Sequence, residues 1–208
     1  MESTHRPLQV LGISGSLRTG SYNRLLLRSA LRSAADAGAR VREADLKILD
    51  LPAYDEDLRT DGEPPSVTMF RRLVADADVI FIAMPEYNYS VPGTLKNAID
   101  WASRKPNVFD GKTAAIFGAS TGPYGTVRGQ AHLRLILGAM NVYLVPQPQV
   151  LVRSAEHAFT PDGTLADERA AEQLRMLIQR TLQLARALDF TRSASESALM
   201  TSNTRRVV

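Results

Sequence analysis

The 208-residue chain contains no cysteine and only three histidines. The absence of cysteine excludes disulfides, thiolate catalysis and cysteine-held metal clusters. The histidines, at positions 5, 132 and 157, are scattered and do not have the spacing of metal ligands. Redox chemistry in this protein would therefore depend on a bound cofactor rather than on its own side chains.

Long apolar runs are also missing. No stretch approaches the roughly 20 apolar residues of a membrane helix, and residues 1–7 are polar and lack the apolar core of a secretion signal. The 25 basic and 22 acidic residues leave a net charge of only +3, without a basic run interleaved with aromatics. We therefore expect a cytoplasmic protein that binds neither membranes nor nucleic acid.

Short apolar runs alternate with amphipathic segments along the chain. Strands are predicted at residues 8–13, 40–46, 79–84, 113–119 and 141–145, and helices at 22–37, 66–77, 93–103, 127–140 and 167–188. This alternation favours a parallel sheet with helices on both faces. Five strands suit a doubly wound α/β fold with the flavodoxin-like order 2-1-3-4-5.

The predicted elements form a single domain over residues 1–188. Residues 50–65, which contain three prolines and a glycine, are expected to form a long surface connection. Residues 189–208 are rich in serine and threonine and are expected to form a flexible tail. Ligands of such sheets bind beyond the carboxyl ends of the strands at the switch point, so the loops after strands 1, 3 and 4 are the candidate site.

The loop after the first strand combines hydroxyl groups with a cation. Between Ser14 and Ser21 it contains four hydroxyl side chains and Arg18, and it leads directly into a helix. A helix N-terminus offers unpaired N–H groups and a partial positive charge, and a phosphate monoester needs many donors. The loop therefore predicts a phosphate site, where Asn23 can cap the helix or reach back with its amide.

Two glycine-rich nucleotide motifs are absent from this loop. No lysine follows a glycine in this loop, which argues against a P-loop here, and Gly12 and Gly15 lack the Gly-x-Gly-x-x-Gly spacing of a dinucleotide fold. A monophosphate is thus favoured over a pyrophosphate. A purely structural alternative stays open, in which Ser21 caps the helix while Gly15 and Gly20 shape a turn.

The loop after the third strand reads Pro85-Glu86-Tyr87-Asn88. Proline ends the strand ladder, so the backbone can turn and present N–H and C=O groups to a planar heterocycle such as a flavin. Tyr87 is expected beside the ring, and Asn88 either fixes the turn or bonds the ligand. Tyr89 is expected to anchor the loop as a buried residue.

The loop after the fourth strand, Ser120-Thr121-Gly122, is expected to form a third wall of the same site. Its small residues permit a close approach of the ligand to the backbone. Trp101, on the helix before this strand, is expected in the core.

These motifs together resemble the NADPH-dependent FMN reductase family, which includes quinone, chromate and azo-dye reductases. The segments that carry the resemblance are Gly15-Ser16-Leu17-Arg18, Ser21-Tyr22-Asn23, Pro85 to Gly93 and Leu95 to Trp101. The resemblance implies non-covalent FMN, NADPH or NADH as co-substrate, and a homodimer or homotetramer. It also implies FMN contacts from Ser16, Arg18, Ser21 and Asn23 at the phosphate and from Pro85, Glu86, Tyr87, Asn88 and Ser120 at the ring.

The motifs and the resemblance together predict a two-step oxidoreductase. NAD(P)H would reduce the flavin, and a quinone, azo compound, chromate or free flavin would then take the electrons as the small-molecule acceptor. Because the cofactor carries the chemistry, no side chain is assigned as a catalytic acid or base. A flavodoxin-like electron carrier without NAD(P)H turnover is the alternative, although such carriers tend to be acidic; a dinucleotide-binding protein without flavin is a third.

Overall fold

The computed structural model describes residues 6–204, with side chains described as far as Asp189. The strands are β1 (Gln9–Ser14), β2 (Arg40–Ala44), β3 (Val79–Ala83), β4 (Thr113–Ala119), β5 (Tyr143–Leu144) and β6 (Val150–Val152). The helices are α1 (Tyr22–Asp36), α2 (Leu46–Leu49), α3 (Glu56–Asp61), α4 (Pro65–Asp76), α5 (Gly93–Ala102), α6 (Val127–Ala139), α7 (Ala155–Ala158) and α8 (Glu168–Thr204).

All strand pairs in the sheet are parallel, and their order is β2-β1-β3-β4-β5. The chain leaves β1 for β2 on one side and returns to β3 on the other, which creates a switch point between β1 and β3. The predicted flavodoxin-like order 2-1-3-4-5 is therefore confirmed.

The two faces of the sheet are covered by different helices because side chains alternate along each strand. Phe81 of β3 packs in a cluster with Leu26 of α1 and Leu174 of α8. Ile82, the next residue, packs on the opposite face in a cluster that includes Phe70 of α4. All five residues of β3 are buried, as expected for a central parallel strand.

The fifth position of the sheet differs from the prediction of one strand over residues 141–145. It is filled by two short strands, since β5 pairs with the start of β4 and β6 pairs with its end. Pro146 and Pro148 lie between the two strands. Proline has no backbone N–H to donate to a strand ladder, so the predicted fifth strand is present but shorter than expected, and β6, which the sequence did not predict, pairs with the rest of β4.

The connection over residues 50–65 contains α3 and is held against α5. The indole Nε1 of Trp101 donates to the carbonyl oxygen of Pro52 at 2.8 Å, and the backbone N–H of Tyr54 donates to Oδ1 of Asn97 at 2.7 Å. Trp101 is fully buried, which confirms its predicted place in the core.

Helix α8 continues to Thr204, so its predicted end at Leu188 is wrong. No glycine or proline lies between these residues to stop it. The flexibility expected for residues 189–208 stays a prediction, and residues 205–208 lie outside the described residues. Between residues 6 and 204, no helix combines the length and the apolar character that crossing a membrane requires.

Asp78 ties the start of the chain to the sheet just before β3. Its carboxylate accepts hydrogen bonds from both terminal nitrogens of Arg6 at 2.7 Å and from the backbone N–H of Gln9 at 2.8 Å. Burial by itself raises the pKa of Asp78, but the hydrogen bonds from Arg6 and Gln9 outweigh it and hold that pKa below its ordinary value.

We expect D78N to lower the free energy of unfolding at pH 7 by about 1–2 kcal/mol. A carboxyl group with a depressed native pKa stabilises the fold above its unfolded pKa of about 4 and loses this contribution as the pH falls. Urea unfolding should therefore separate D78N from the wild type at pH 7 and bring the two together near pH 3. The exposed Asp50, replaced as D50N, is the matched control; a D78N deficit that does not change with pH would contradict the assignment.

Candidate functional site

The carboxyl ends of β1, β3 and β4 bring the three predicted loops side by side. The backbone N–H of Gly15 donates to the carbonyl oxygen of Ala83 at 2.8 Å, and that of Met84 donates to the carbonyl oxygen of Phe117 at 3.0 Å. Residues 14–21, 85–90 and 120–125 therefore leave the sheet at one edge, as the topology predicts.

The first loop is rich in unused backbone donors. Within the described part of the chain, no atom accepts a hydrogen bond from the backbone N–H groups of residues 17–21. These groups precede the 15-residue helix α1, whose N-terminus adds a partial positive charge. An anion with several acceptor oxygens fits this donor set, so the loop is suited to a phosphate group.

The side chains of this loop divide into two kinds. Ser16 and Ser21 are buried, and Oγ of Ser21 accepts from the backbone N–H of Arg24 at 3.3 Å, which makes Ser21 the cap of α1. Arg18 is exposed, donates to the carbonyl oxygen of Gly20 at 2.8 Å and lies over the ring of Tyr22. The structural role left open for Ser21 is thus present, and Arg18 remains accessible to a ligand.

Asn23 connects the first loop to the third. Its Nδ2 donates to the carbonyl oxygen of Ala119 at 2.9 Å, and the N–H of Ala119 donates to its Oδ1 at 2.8 Å. Both bonds are buried, and they join the first turn of α1 to the end of β4. The structure therefore gives this side chain a scaffolding role, while its predicted contact with phosphate stays a prediction.

The second loop contains a tight reverse turn. Tyr87 and Ser90 exchange backbone hydrogen bonds of 3.1 and 2.9 Å, and Asn88 and Tyr89 have φ angles of 48° and 67°. Two successive left-handed residues are typical of a type I′ turn, in which asparagine is favoured. Asn88 thus fixes the turn, which is one of the two roles predicted for it.

The two tyrosines of this turn are both on the surface. Tyr87 is 52% exposed and Tyr89 is 66% exposed, so the expectation that Tyr89 is a buried anchor is wrong. Its φ angle is left-handed, and its ring centroid lies 3.9 Å from the guanidinium carbon of Arg128. Tyr124 flanks the same guanidinium at 5.2 Å.

The side chain of Glu86 caps α6, a role that the sequence did not predict. Its Oε2 accepts from the backbone N–H groups of Arg128 and Gly129, both at 2.9 Å, and its Oε1 pairs with Nε of Arg128. The side chain is only 6% exposed. The carboxylate of Glu86 is therefore used to cap α6, and the predicted contact of this residue with the ring stays a prediction.

The first turn of α6 depends on this outside cap. Its own N-cap residue, Thr126, makes no side-chain capping bond, and its first turn contains no acidic residue. Gly129 permits the approach, since a Cβ atom there would lie 2.6 Å from Cε of Met84 and 3.1 Å from the carbonyl oxygen of Ser90. The sequence contains no specific signal for this contact, because the first turns of α1, α4 and α5 also lack acidic residues.

The third loop is held by its own backbone and by β6. Oγ of Ser120 accepts from the N–H of Gly122 at 3.1 Å, and the N–H of Ser120 donates to the carbonyl oxygen of Val152 at 2.9 Å. Thr121, which lies between Ser120 and Gly122, is exposed. The three residues predicted as a third wall thus lie at the expected edge of the sheet.

Comparisons with known proteins agree with this arrangement. A family model described as NADPH-dependent FMN reductase matches residues 8–157. The chain is 48% identical to an NAD(P)H-dependent FMN reductase of Pseudomonas aeruginosa, over 85% of this chain and 92% of the relative. It is 40% identical to an NAD(P)H:quinone oxidoreductase of Solanum tuberosum, over 86% and 93%.

One solved structure matches this chain over nearly the whole length of the solved protein. FerB from Paracoccus denitrificans, described as a flavoenzyme NAD(P)H:(acceptor) oxidoreductase, matches with a TM-score of 0.77 and 32% identity. The match covers 86% of this chain and 98% of that protein.

We expect N23A to lower the free energy of unfolding by about 2–4 kcal/mol, because it leaves a buried N–H and a buried C=O of Ala119 without partners. S29A, on the same helix, is the control. It removes a hydroxyl whose hydrogen bonds, to the carbonyl oxygen of Leu25 and from Arg32, stay within α1, and it should change the free energy of unfolding little. Urea unfolding of the two variants measures the difference. Equal stabilities would show that Asn23 does not hold α1 to β4.

Proposed function

Because the chain belongs to the NADPH-dependent FMN reductase family and is therefore an NAD(P)H-dependent oxidoreductase, we propose that it binds FMN at the carboxyl edge of its sheet. The observation that carries the proposal is the row of unused backbone N–H groups over residues 17–21, at the start of α1. The relatives named as reductases and quinone oxidoreductases favour an enzyme over an electron carrier.

The phosphate of FMN would be held mainly by backbone donors. The N–H groups of residues 17–21 and the hydroxyl of Ser16 can donate to its oxygens, and the exposed Arg18 can supply a charge-assisted bond. The hydroxyl of Ser21 already accepts from Arg24, but its own proton remains available to a phosphate oxygen. Asn23 contributes by placing α1 against β4.

The flavin ring would lie against the second and third loops. The backbone of Pro85 to Asn88 and the small residues Ser120, Thr121 and Gly122 would border the planar group at the edge of the sheet. The N–H groups of Glu86 and Thr121 have no acceptor among the described residues and can donate to ring atoms. Tyr87, half exposed beside this edge, can pack against the ring or against a bound substrate.

When bound, FMN would accept a hydride at N5 from C4 of the nicotinamide and pass two electrons to an acceptor. The protein has to orient the two reacting rings at about 3–3.5 Å and stabilise the negative charge that reduction adds. A quinone is the acceptor class that the names of several relatives indicate. Azo compounds, chromate and free flavin remain acceptors that the same open edge would admit.

We also propose a homodimer or homotetramer in the cytoplasm, where NAD(P)H is supplied. Exposed apolar side chains on α6, Leu135 at 74% and Val127 at 37%, offer a surface for a second copy. Light scattering coupled to size exclusion measures the mass directly, and a monomeric mass would contradict this part of the proposal.

We expect R18A to weaken FMN binding by about 10- to 100-fold, because a charge-assisted hydrogen bond to phosphate contributes about 1.5–3 kcal/mol. Titration of the apoprotein with FMN, followed by flavin fluorescence, gives the dissociation constant. R32A removes the same charge from the outer side of α1, where Arg32 bonds only to Ser29, and should bind FMN as the wild type does. Unchanged affinity in R18A would remove Arg18 from the site.

The purified holoprotein should have the yellow absorption of oxidised flavin, and anaerobic NADPH should bleach it. A quinone added afterwards should restore the spectrum, because the same flavin donates to the acceptor. Folded protein that stays colourless in the presence of FMN would contradict the cofactor assignment. A bound flavin that NADPH does not bleach would instead indicate an electron carrier.

A further inference from the structure

Glu86 is the carboxylate that contacts the start of α6. It accepts from the N–H groups of Arg128 and Gly129 and pairs with the Arg128 side chain. The helix itself contains Arg128 and Arg134 and no acidic residue. Without Glu86, the positive end of the helix and the charge of Arg128 would both stand uncompensated beside the second loop.

The position of Glu86 and Arg128 matters because reduction changes the charge of a flavin ring. A transferred hydride brings one proton and two electrons, so the bound ring gains one negative charge. Charges close to the ring therefore shift the balance between its oxidised and reduced forms. Glu86 directly precedes Tyr87 in the bend proposed to carry the ring, and its burial reduces screening by solvent.

We propose that Glu86 and Arg128 form a charge pair that sets the reduction potential of the bound flavin, with Glu86 lowering that potential and Arg128 raising it. This inference rests on the proposed FMN site. Glu86 is not a catalytic residue, because its carboxylate contacts the start of α6 and would act on the ring only through its charge.

A purely structural role for the pair predicts a different pattern. If Glu86 only anchored the second loop to α6, then loss of either Glu86 or Arg128 would loosen the same contact. The reduction potential of the flavin would then shift in the same direction in both variants. A role through charge predicts shifts of opposite sign, since one variant removes a negative charge and the other a positive one. The sign of the two shifts in reduction potential, rather than their size, therefore distinguishes the two hypotheses.

The experiment measures the reduction potential of bound FMN in E86Q, R128Q and the double variant, by equilibration with a reference dye. E86Q keeps the shape of the side chain and one acceptor oxygen for the α6 amides, and its potential should become more positive. In R128Q the carboxylate keeps its bonds to the N–H groups of Arg128 and Gly129, and the potential should become more negative. The double variant should return close to the wild type.

The exposed pair Glu172 and Arg175 on α8 provides the matched control. E172Q makes the same chemical change in another ion pair of this chain, on a helix away from the second loop, and should leave the potential unchanged. In the apoprotein, hydrogen exchange at the Arg128 and Gly129 amides should be faster in E86Q, which reports the weakened cap without any flavin.

The outcomes separate this inference from the proposed function. Wild-type protein that takes up no FMN contradicts the proposed function itself. FMN that binds normally, with potentials unchanged or shifted in the same direction in E86Q and R128Q, overturns the charge pair while leaving the FMN site intact. If E86Q fails to fold, R128Q alone decides, because a shift to a more negative potential supports the proposal and no shift or a positive one overturns it.

Discussion

The parallel alignment of β1, β3 and β4 is the constraint on which the site depends. Parallel strands end at the same edge, and the strand order reverses at β1, which is the position where ligands of doubly wound sheets bind. The loops at residues 14–21, 85–90 and 120–125 are distant in sequence, yet hydrogen bonds between the strand ends hold them next to one another. Everything proposed for FMN follows from that convergence.

Four polar side chains around this edge bond to the protein scaffold. Ser21 caps α1, Asn23 binds the backbone of Ala119, Glu86 caps α6, and Ser120 closes its own loop. Each satisfies backbone groups that the loops would otherwise leave unpaired. The backbone donors of the first loop have no acceptor among the described residues, so the proposed phosphate binding would depend on main-chain geometry together with Ser16 and Arg18.

Sequence reasoning located the elements well because the period-2 and period-3.6 patterns are strong here. The bounds of α1 and β4 agree with their predictions within one residue, and the strand order is the flavodoxin-like one that five alternating strands suit. Orientation was harder to predict. Whether Glu86 faces a ligand or a helix, and whether Tyr89 is buried, depends on a turn with two positive φ angles and on the absence of a Cβ at Gly129, which no periodicity reveals.

The divided fifth position of the sheet has a consequence for how the protein meets other chains. An outer strand with a long row of free N–H and C=O groups invites another chain to add alongside it and begin an aggregate. Here that margin is broken into strands of two and three residues separated by a segment with two prolines. It therefore gives an incoming strand too short a ladder to extend, and protects the molecule on this flank against fibre-like stacking.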